Sequence, residues 1–225
     1  QQYPINALWA YKDIILTSNN AGLTVGTGAG EGATLTATYG DTFDVALGAK
    51  YKLDNMDSTG FSYAISEADN TILNQYGILQ SGLSDGTGNQ GIRFLCVDGI
   101  KEVPTSTLQI TVTITDSNNP GFSQVCPITL NILPKEIELD GSTIKTSDGQ
   151  KTPTKEYDGN THIDVKSTAD LIGIINGDDV SVAFDQSANF DSAVVGTGKD
   201  VTLTGVILSG AQKHRYTIPD TVTVS

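Results

Sequence analysis

Apolar and polar residues alternate along most of this 225-residue chain in short runs. The clearest runs are residues 34–39, 108–114 and 201–208, each rich in β-branched side chains. A period of two places successive side chains on opposite faces, which is typical of half-buried β-strands. The runs end at turn-forming residues such as the pair Asp158-Gly159. The pattern therefore predicts many short strands joined by tight turns.

Helical periodicity is confined to two short stretches, residues 66–75 and 168–175, which we predict as short helices. Many strands separated by frequent turns favour an all-β chain built from β-sandwiches. A length of 225 residues suits two such domains of about 100 residues each. The predicted fold class is therefore all-β, with two tandem β-sandwich domains.

One proline marks the boundary between the two predicted domains. An apolar strand over residues 128–133 precedes Pro134, and the alternating pattern restarts at residues 135–139. Proline cannot donate to a β-ladder, and it keeps the preceding residue extended. We therefore predict one domain over residues 1–133 and a second over residues 134–225.

Acidic residues outnumber basic ones by 26 to 13, so the chain carries a formal charge of −13. Such a field repels the phosphate backbone, which excludes nucleic acid as an expected partner. It also disfavours anionic membrane surfaces. No apolar run approaches the ~20 residues that a membrane-spanning helix needs, so we expect no direct membrane insertion.

The two cysteines, Cys96 and Cys126, both lie in apolar stretches with strand character. A disulfide between them would close a loop of about 30 residues and stabilise the domain by about 3 kcal/mol. Two buried free thiols are the alternative. We expect the disulfide, because the rest of the sequence has the character of a secreted protein.

Four blocks of turn-forming and apolar residues follow one another in the second predicted domain. They are Lys155-Glu156-Tyr157-Asp158-Gly159-Asn160-Thr161, then Gly177-Asp178-Asp179-Val180, then Val195-Gly196-Thr197-Gly198-Lys199, and last Leu208-Ser209-Gly210-Ala211 with Tyr216-Thr217-Ile218. In this order and spacing, over residues 134–225, they resemble the YDG repeat domain of bacterial surface proteins and adhesins. One departure is Arg215, where the family pattern usually has asparagine before the tyrosine.

The residue types in these blocks indicate that they form turns and do not carry out chemistry. Asp158-Gly159 can supply a positive-φ turn, with the ring of Tyr157 packed beside it. Gly196 and Gly198 permit a tight connection before the next strand. The resemblance implies extension or presentation on a cell surface, with neighbouring repeat domains of a parent chain as partners.

The first predicted domain resembles bacterial immunoglobulin-like or cadherin-like repeats. The resemblance rests on residues 61–66, 75–79 and 108–114. It implies that both tandem sandwiches are immunoglobulin-like and that the protein is extracellular, at a bacterial cell surface.

Residues 86–91 read Gly-Thr-Gly-Asn-Gln-Gly, which matches the dinucleotide-binding fingerprint. That fingerprint needs a helix after it, whereas residues 92–97 predict a strand, so we interpret the glycines as a turn. The two histidines, His162 and His214, lie next to polar turn residues and outside any nucleophile-elbow context. We therefore predict no enzymatic activity, no catalytic residue and no organic cofactor.

Two further kinds of site remain alternatives. Residues 54–57, 116–119 and 177–179 supply the oxygen ligands that calcium prefers, although such loops also form ordinary turns. Lys12 and Asn131 would be the pair to check for a self-formed isopeptide bond, with solvated surface residues as the other interpretation.

The function that these patterns favour is a non-catalytic structural or adhesive segment that acts as a stalk or spacer. The alternative is a module that binds a glycan or a host protein through loop aromatics. Candidates for that binding are Trp9, Tyr11, Tyr51 and Tyr76. An exposed cluster of these rings would favour binding, and burial of each ring would count against it.

Overall fold

The computed structural model describes residues 13–18, 23–28, 30–51, 60–84, 90–117, 120–149 and 153–225. The chain divides into two compact units, Gln1–Leu133 and Pro134–Ser225. Pro134 is thus the first residue of the second unit. No helix in the described part of the chain combines the length and the apolar character needed to cross a membrane.

Two antiparallel-rich sheets form the first unit. Its strands are β1 (Ile14–Thr17), β2 (Leu23–Val25), β3 (Ala33–Thr38), β4 (Phe43–Tyr51), β5 (Phe61–Ile65), β6 (Leu79–Ser84), β7 (Gln90–Cys96), β8 (Leu108–Asp116) and β9 (Ser123–Leu133). One sheet has the order β1-β4-β7-β6, and the other has the order β2-β3-β9-β8-β5. Strand β3 runs parallel to β9, and the other described pairs are antiparallel.

The core of the first unit lies between the two sheets. Alternate residues of β8 and β9, such as Val112 and Ile128, are fully buried. Leu47 and Phe94 are equally buried on the opposite sheet. Burial of each such side chain stabilises the fold by about 1.5–3 kcal/mol. The period-two pattern of the sequence therefore corresponds directly to this core.

One of the two predicted helices is confirmed. Helix α1 (Glu67–Gln75) begins after Ser66, whose side chain accepts a hydrogen bond from the Asp69 backbone N–H at 3.0 Å. The prediction for residues 168–175 is wrong. That stretch contains the short strand β13 (Leu171–Ile172) and then Gly173 at φ +97°, a backbone conformation that no right-handed helix contains.

Short strands form the second unit. They are β10 (Lys135–Glu136), β11 (Glu138–Leu139), β12 (His162–Asp164), β13, β14 (Ser181–Ala183), β15 (Ser187–Phe190), β16 (Val201–Leu203), β17 (Ile207–Ser209), β18 (Tyr216–Thr217) and β19 (Val222–Val224). One sheet has the order β12-β15-β16-β19. The two-stranded pairs are β10–β18, which is parallel, and the antiparallel β11–β13 and β14–β17.

One hydrophobic cluster joins most of these short strands. Its buried members are Leu139, Ile144, Ile163, Val165, Val182, Phe184, Ala188, Val201, Leu203 and Val206. The predicted run over residues 201–208 is two strands, β16 and β17, in different sheets. The chain bends between them at Gly205, which has φ +64°, and a Cβ there would lie 2.8 Å from the Asp185 carboxylate oxygens.

The predicted fold class is confirmed: the chain is all-β and builds two tandem β-sandwich bodies. Helix α1 adds one short helical connection between β5 and β6 in the first body. The connections that carry the four sequence blocks lie in the second body.

Candidate functional site

The turn that carries the first sequence block is held by Lys155. Its ammonium donates to Asn160 Oδ1 at 2.6 Å and to the His162 carbonyl oxygen at 2.7 Å, and it pairs with Asp158 Oδ1 at 2.7 Å. The Lys155 hydrogen bond, followed by that of the Asn160 backbone N–H, holds the pKa of the Asp158 carboxyl below its usual range. Gly159 has φ +81°, which glycine adopts without steric cost. One lysine thus fixes the whole turn.

Tyr157 does not pack against this turn, which corrects the expectation from the sequence. Tyr157 is 70% exposed, and the turn beside it is held by the hydrogen bonds of Lys155 rather than by ring packing. Val194 and Val195 are exposed to a similar degree, at 73% and 75%. Large exposed apolar side chains are informative when they lie in one place, because single ones are common on any protein surface.

All three of these side chains line one groove of about 620 Å³ in the second unit. Its apolar lining includes Phe190, Val201 and Val224, and its polar lining includes Ser142, Asn160 and Ser192. Residues 155–157 from the first block and residues 195–199 from the third block both border it. Two of the four sequence blocks therefore meet at this groove.

The charged residues of the groove are mostly paired with each other or with its rim. Lys199 Nζ donates to Ser192 Oγ at 2.5 Å and lies 3.6 Å from Asp191 Oδ1. Lys155 is engaged by the turn, and Glu156 is exposed. Among the described lining residues there is no histidine and no cysteine. The exposed apolar side chains of the groove suit it to contact an apolar surface.

A serine, a histidine and an aspartate do meet elsewhere on the second unit. His162 Nε2 lies 3.1 Å from Asp164 Oδ1, and His162 Nδ1 lies 3.2 Å from Ser187 Oγ. The His162 and Asp164 side chains are 52% and 64% exposed, and both lie on β12, which does not border the groove. Catalysis by such a triad depends on oxyanion donors in a water-excluded site. This row is accordingly interpreted as surface hydrogen bonding between β12 and β15.

The second and fourth sequence blocks form a closed hydrogen-bonded cluster. The Asp178 carboxylate accepts from Arg215 Nη1 at 2.9 Å and from the Tyr216 hydroxyl at 2.5 Å. The same hydroxyl accepts from the Ile175 backbone N–H at 2.9 Å. The Asp178 side chain is only 9% exposed and that of Arg215 is 19% exposed. Arg215, the departure from the family pattern, therefore supplies the cation that pairs with Asp178.

Asp179 and Gly210 complete this cluster. The Asp179 backbone N–H donates to Gln212 Oε1 at 2.9 Å, and the Ala211 N–H donates to Asp179 Oδ2 at 3.3 Å. Gly210 has φ +104°, and a Cβ on it would lie 2.2 Å from the Asp179 carbonyl oxygen. Gly177, at φ +99°, makes the turn that precedes Asp178. Only glycine fits at position 210, because both its backbone angle and its neighbour exclude a side chain.

Both cysteines are buried free thiols, so the predicted disulfide is not formed. Cys96 lies opposite Phe43 in one sheet, whereas Cys126 lies opposite Val112 in the other. Each therefore occupies an inward position among apolar neighbours and acts as a small core side chain. Burial raises the pKa of both thiols, which keeps them in the unreactive protonated form.

The remaining candidates fall partly outside the described residues. Trp9, Tyr11, Lys12 and the calcium candidate at residues 54–57 lie there entirely.

The aromatic and amide candidates that the structure describes are each partly buried. Tyr51 is half-buried, with its ring edge-on to Phe61 at 5.1 Å, and its hydroxyl donates to Asp116. Tyr76 is also half-buried, and Asn131 is half-buried on the outer face of β9. Within the described ranges, no three His, Cys, Asp or Glu side chains group together to hold a metal ion.

A YDG domain family model matches residues 143–224. The resemblance of the second unit to the YDG domain is thereby confirmed, over about a third of the chain. No curated protein matches the sequence.

Among solved structures, the chain is similar to the BIgI domain of the beta protein from S. agalactiae bound to CEACAM1, at 16% identity and a TM-score of 0.32. That match covers 54% of this chain and 98% of that one. It is also similar to the FdeC adhesin of Escherichia coli, at 13% identity and 0.31, covering 95% of this chain and 64% of that one. The human desmocollin-1 ectodomain matches at 12% identity and 0.31, covering 94% and 39%.

Proposed function

We propose, from the YDG domain that residues 143–224 match, that the chain is a non-catalytic stalk or spacer segment of a secreted or cell-surface bacterial protein. The observation that carries this proposal is that the polar side chains of the second and fourth sequence blocks bond within the fold. The clearest case is the Asp178 carboxylate, which accepts hydrogen bonds from Arg215 and Tyr216. Residues so engaged stabilise a body; they are not presented to a substrate.

The strand order also suits a segment that transmits force. Near the start of the second unit, β10 pairs in parallel with β18, close to the end of the unit. The Ile137 backbone N–H continues this pairing to the Thr217 carbonyl oxygen at 3.0 Å. Pulling the two ends apart would load these bonds together in shear rather than open them one at a time. In the first unit β9, which leads directly to Pro134, is held by neighbours on both sides.

Single-molecule pulling on the whole chain tests the spacer function. We expect two unfolding events, with length gains of about 400 Å and about 300 Å for the first and second units at roughly 3.5 Å per residue. Smooth stretching without discrete events would contradict a mechanical role. The variant Asp178→Asn, which weakens the cluster, should lower the force of the shorter event and leave the longer one unchanged.

A binding role has one specific observation in its favour, the exposed ring of Tyr157 inside an apolar groove. A tyrosine ring that has an apolar body and a polar tip is well suited to contact a glycan or a host protein. Screening the chain and its Tyr157→Ser variant on immobilised glycans and on host extracellular matrix proteins tests this role. Binding that the variant loses would support it, and equal binding by both proteins would contradict it.

A further inference from the structure

The strand residues on the outer face of the five-stranded sheet in the first unit are uncharged, although Asp69 of α1 contacts this face, where its carboxylate accepts from the Thr111 hydroxyl at 3.0 Å. The outward residues of the sheet are Thr24 on β2, Thr34, Thr36 and Thr38 on β3, Ser62 and Ala64 on β5, Gln109, Thr111, Thr113 and Thr115 on β8, and Ser123, Val125, Pro127, Thr129, Asn131 and Leu133 on β9. We call this set the neutral face. Among these described positions none is Asp, Glu, Lys or Arg, and threonine is the commonest residue.

The register aligns these side chains in rows across the sheet. Thr24, Thr34, Thr129 and Gln109 are successive partners on β2, β3, β9 and β8. Strands lie about 4.8 Å apart, and residues on one face repeat about every 6.7 Å along a strand. The neutral face is therefore a regular grid of hydroxyl and methyl groups.

The absence of charge from the neutral face contrasts with the composition of the chain. Charged residues make up 17% of the sequence, and the net charge is −13. The outer face of the other sheet does carry charge, since Arg93 on β7 donates to the Asp44 carboxylate on β4. Exposed sheet faces of soluble proteins ordinarily bear such charges, which keep them from associating.

The chemistry of the neutral face matches the centre of a protein interface. Such centres are depleted in charge and combine apolar contact with hydrogen bonds. Val125 and Leu133 are 52% and 43% exposed on this face, and each threonine adds a methyl and a hydroxyl group. The two aromatic side chains of β5, Phe61 and Tyr63, both point inward, and burial raises the pKa of Tyr63 to about 12. An aromatic platform for a sugar is therefore missing from these described strands.

A second copy of this chain is the partner that these properties favour. A hydroxyl both donates and accepts hydrogen bonds, so a threonine grid is complementary to itself across a two-fold axis. Elsewhere, two copies of a chain with net charge −13 repel each other. The grid is about 24 Å wide and about 20 Å long, or about 500 Å² in projection, which is at the small end for a specific interface. We propose that the neutral face mediates weak, reversible self-association of the protein through face-to-face packing of two copies.

Ionic strength gives this mode of association a distinctive signature. Salt screens the repulsion between two acidic molecules and leaves contacts between hydroxyl and methyl groups unaffected. Self-association through the neutral face should therefore strengthen as salt is added. Binding driven by opposite charges would weaken under the same change. The proposal does not depend on the spacer function, because a spacer can be monomeric.

Sedimentation equilibrium of the whole chain at about 20 mM and about 500 mM NaCl tests the proposal. We expect a monomer–dimer equilibrium whose association constant rises at least about five-fold with salt. The double variant Thr113→Glu, Thr129→Glu places two charges on the face and should reduce association at least about ten-fold.

The matched control is Leu79→Glu, Ser81→Glu, which adds the same charge to exposed positions on β6 of the other sheet. It should associate like the unmodified chain, and circular dichroism should show that both double variants are folded. A chain that stays monomeric at about 500 µM in high salt would overturn the proposal. Equal loss of association in both double variants would overturn it as well. So would association that weakens with salt.

Discussion

The two units of this protein reach an all-β fold by different means. In the first, long strands such as β8 and β9 alternate buried and exposed residues over nine and eleven positions. In the second, no described strand is longer than the four residues of β15. There, side-chain hydrogen bonds and positive-φ glycines take the place of long ladders. The comparison teaches that hydrophobic alternation specifies the first unit, whereas particular turn residues specify the second.

If the comparison is right, the largest effect in the first unit comes from its core. Ile128 on β9 is fully buried, so Ile128→Ala leaves a cavity and should destabilise this unit by about 4 kcal/mol. Thr129→Ala, one residue further along on the outer face, should change its stability by at most about 0.5 kcal/mol. Calorimetric scans of the whole chain measure both effects. A shift of the second unit's transition by Ile128→Ala would contradict independent cores.

The largest effect in the second unit should come from a turn. Gly210→Ala combines an unfavourable φ of +104° with a contact of 2.2 Å to the Asp179 carbonyl oxygen, and it should cost about 3 kcal/mol or more. At Gly196 the nearest atom to an added Cβ is Lys199 Cε at 3.6 Å. Gly196→Ala should therefore lie within about 1 kcal/mol of the original stability. Equal behaviour of the two variants in denaturant titrations would refute the role assigned to Gly210.

A smaller effect should distinguish the two motif tyrosines. Tyr216→Phe removes a buried hydroxyl that donates to Asp178 and accepts from the Ile175 N–H, and should cost about 2 kcal/mol. Tyr157→Phe removes an exposed hydroxyl and should cost less than about 0.5 kcal/mol. Urea titration that follows the second unit measures the difference. The account of the cluster does not survive if the two variants are equally stable.

Alkaline pH should destabilise the first unit. Burial raises the pKa of Tyr51 and Tyr63 to about 12, and for Tyr51 the hydrogen bond to Asp116 adds to the effect. Both shifts favour the neutral phenol in the fold. Their stabilisation is complete below the ordinary pKa of 10.0 and is lost as the pH rises to about 12.

The melting temperature of the first unit should consequently fall between these pH values. The double variant Tyr51→Phe, Tyr63→Phe should lose this pH dependence relative to its own value at neutral pH. An unchanged pH profile in that variant would show that other groups control the alkaline transition.

The smallest expected effect is that of a reductant. Cys96 and Cys126 are free and buried, so reduction should change neither the mass of the protein nor either melting transition. A thiol reagent should label no cysteine in the folded chain and two after denaturation. A gain of about two daltons on reduction would show instead that the disulfide favoured by the sequence context is present.

Features that depend on local sequence could be predicted here, and those that depend on tertiary contacts could not. The alternation around Ile110 to Ile114 and the N-cap at Ser66 determine β8 and the start of α1 without reference to the rest of the chain. The groove escaped prediction, since no sequence signal shows that Tyr157 and Val194 meet at one surface. The neutral face depends on strand order, because only the pairing of β3 with β9 brings their threonines together.

In the second unit, some sequence blocks show that a position is structurally special but do not show which contact it makes. The block Gly177-Asp178-Asp179 is compatible with a calcium loop and with a turn. Only the distance from Asp178 to Arg215 and Tyr216 shows that its carboxylate is engaged within the fold. Likewise, a run of apolar residues over 201–208 gives no sign that Gly205 divides it between two sheets.

Native-state hydrogen exchange tests most directly whether the sequence blocks are the framework of the second unit. The N–H groups of Ile175 and Asp179 donate to the side chains of Tyr216, in the fourth block, and of Gln212, directly after its first half, rather than to a neighbouring strand. They should exchange as slowly as the N–H groups of β16 in the core sheet, and Tyr216→Phe should release Ile175 first. Exchange of both at the rate of an unstructured peptide, with β16 still protected, would contradict the account.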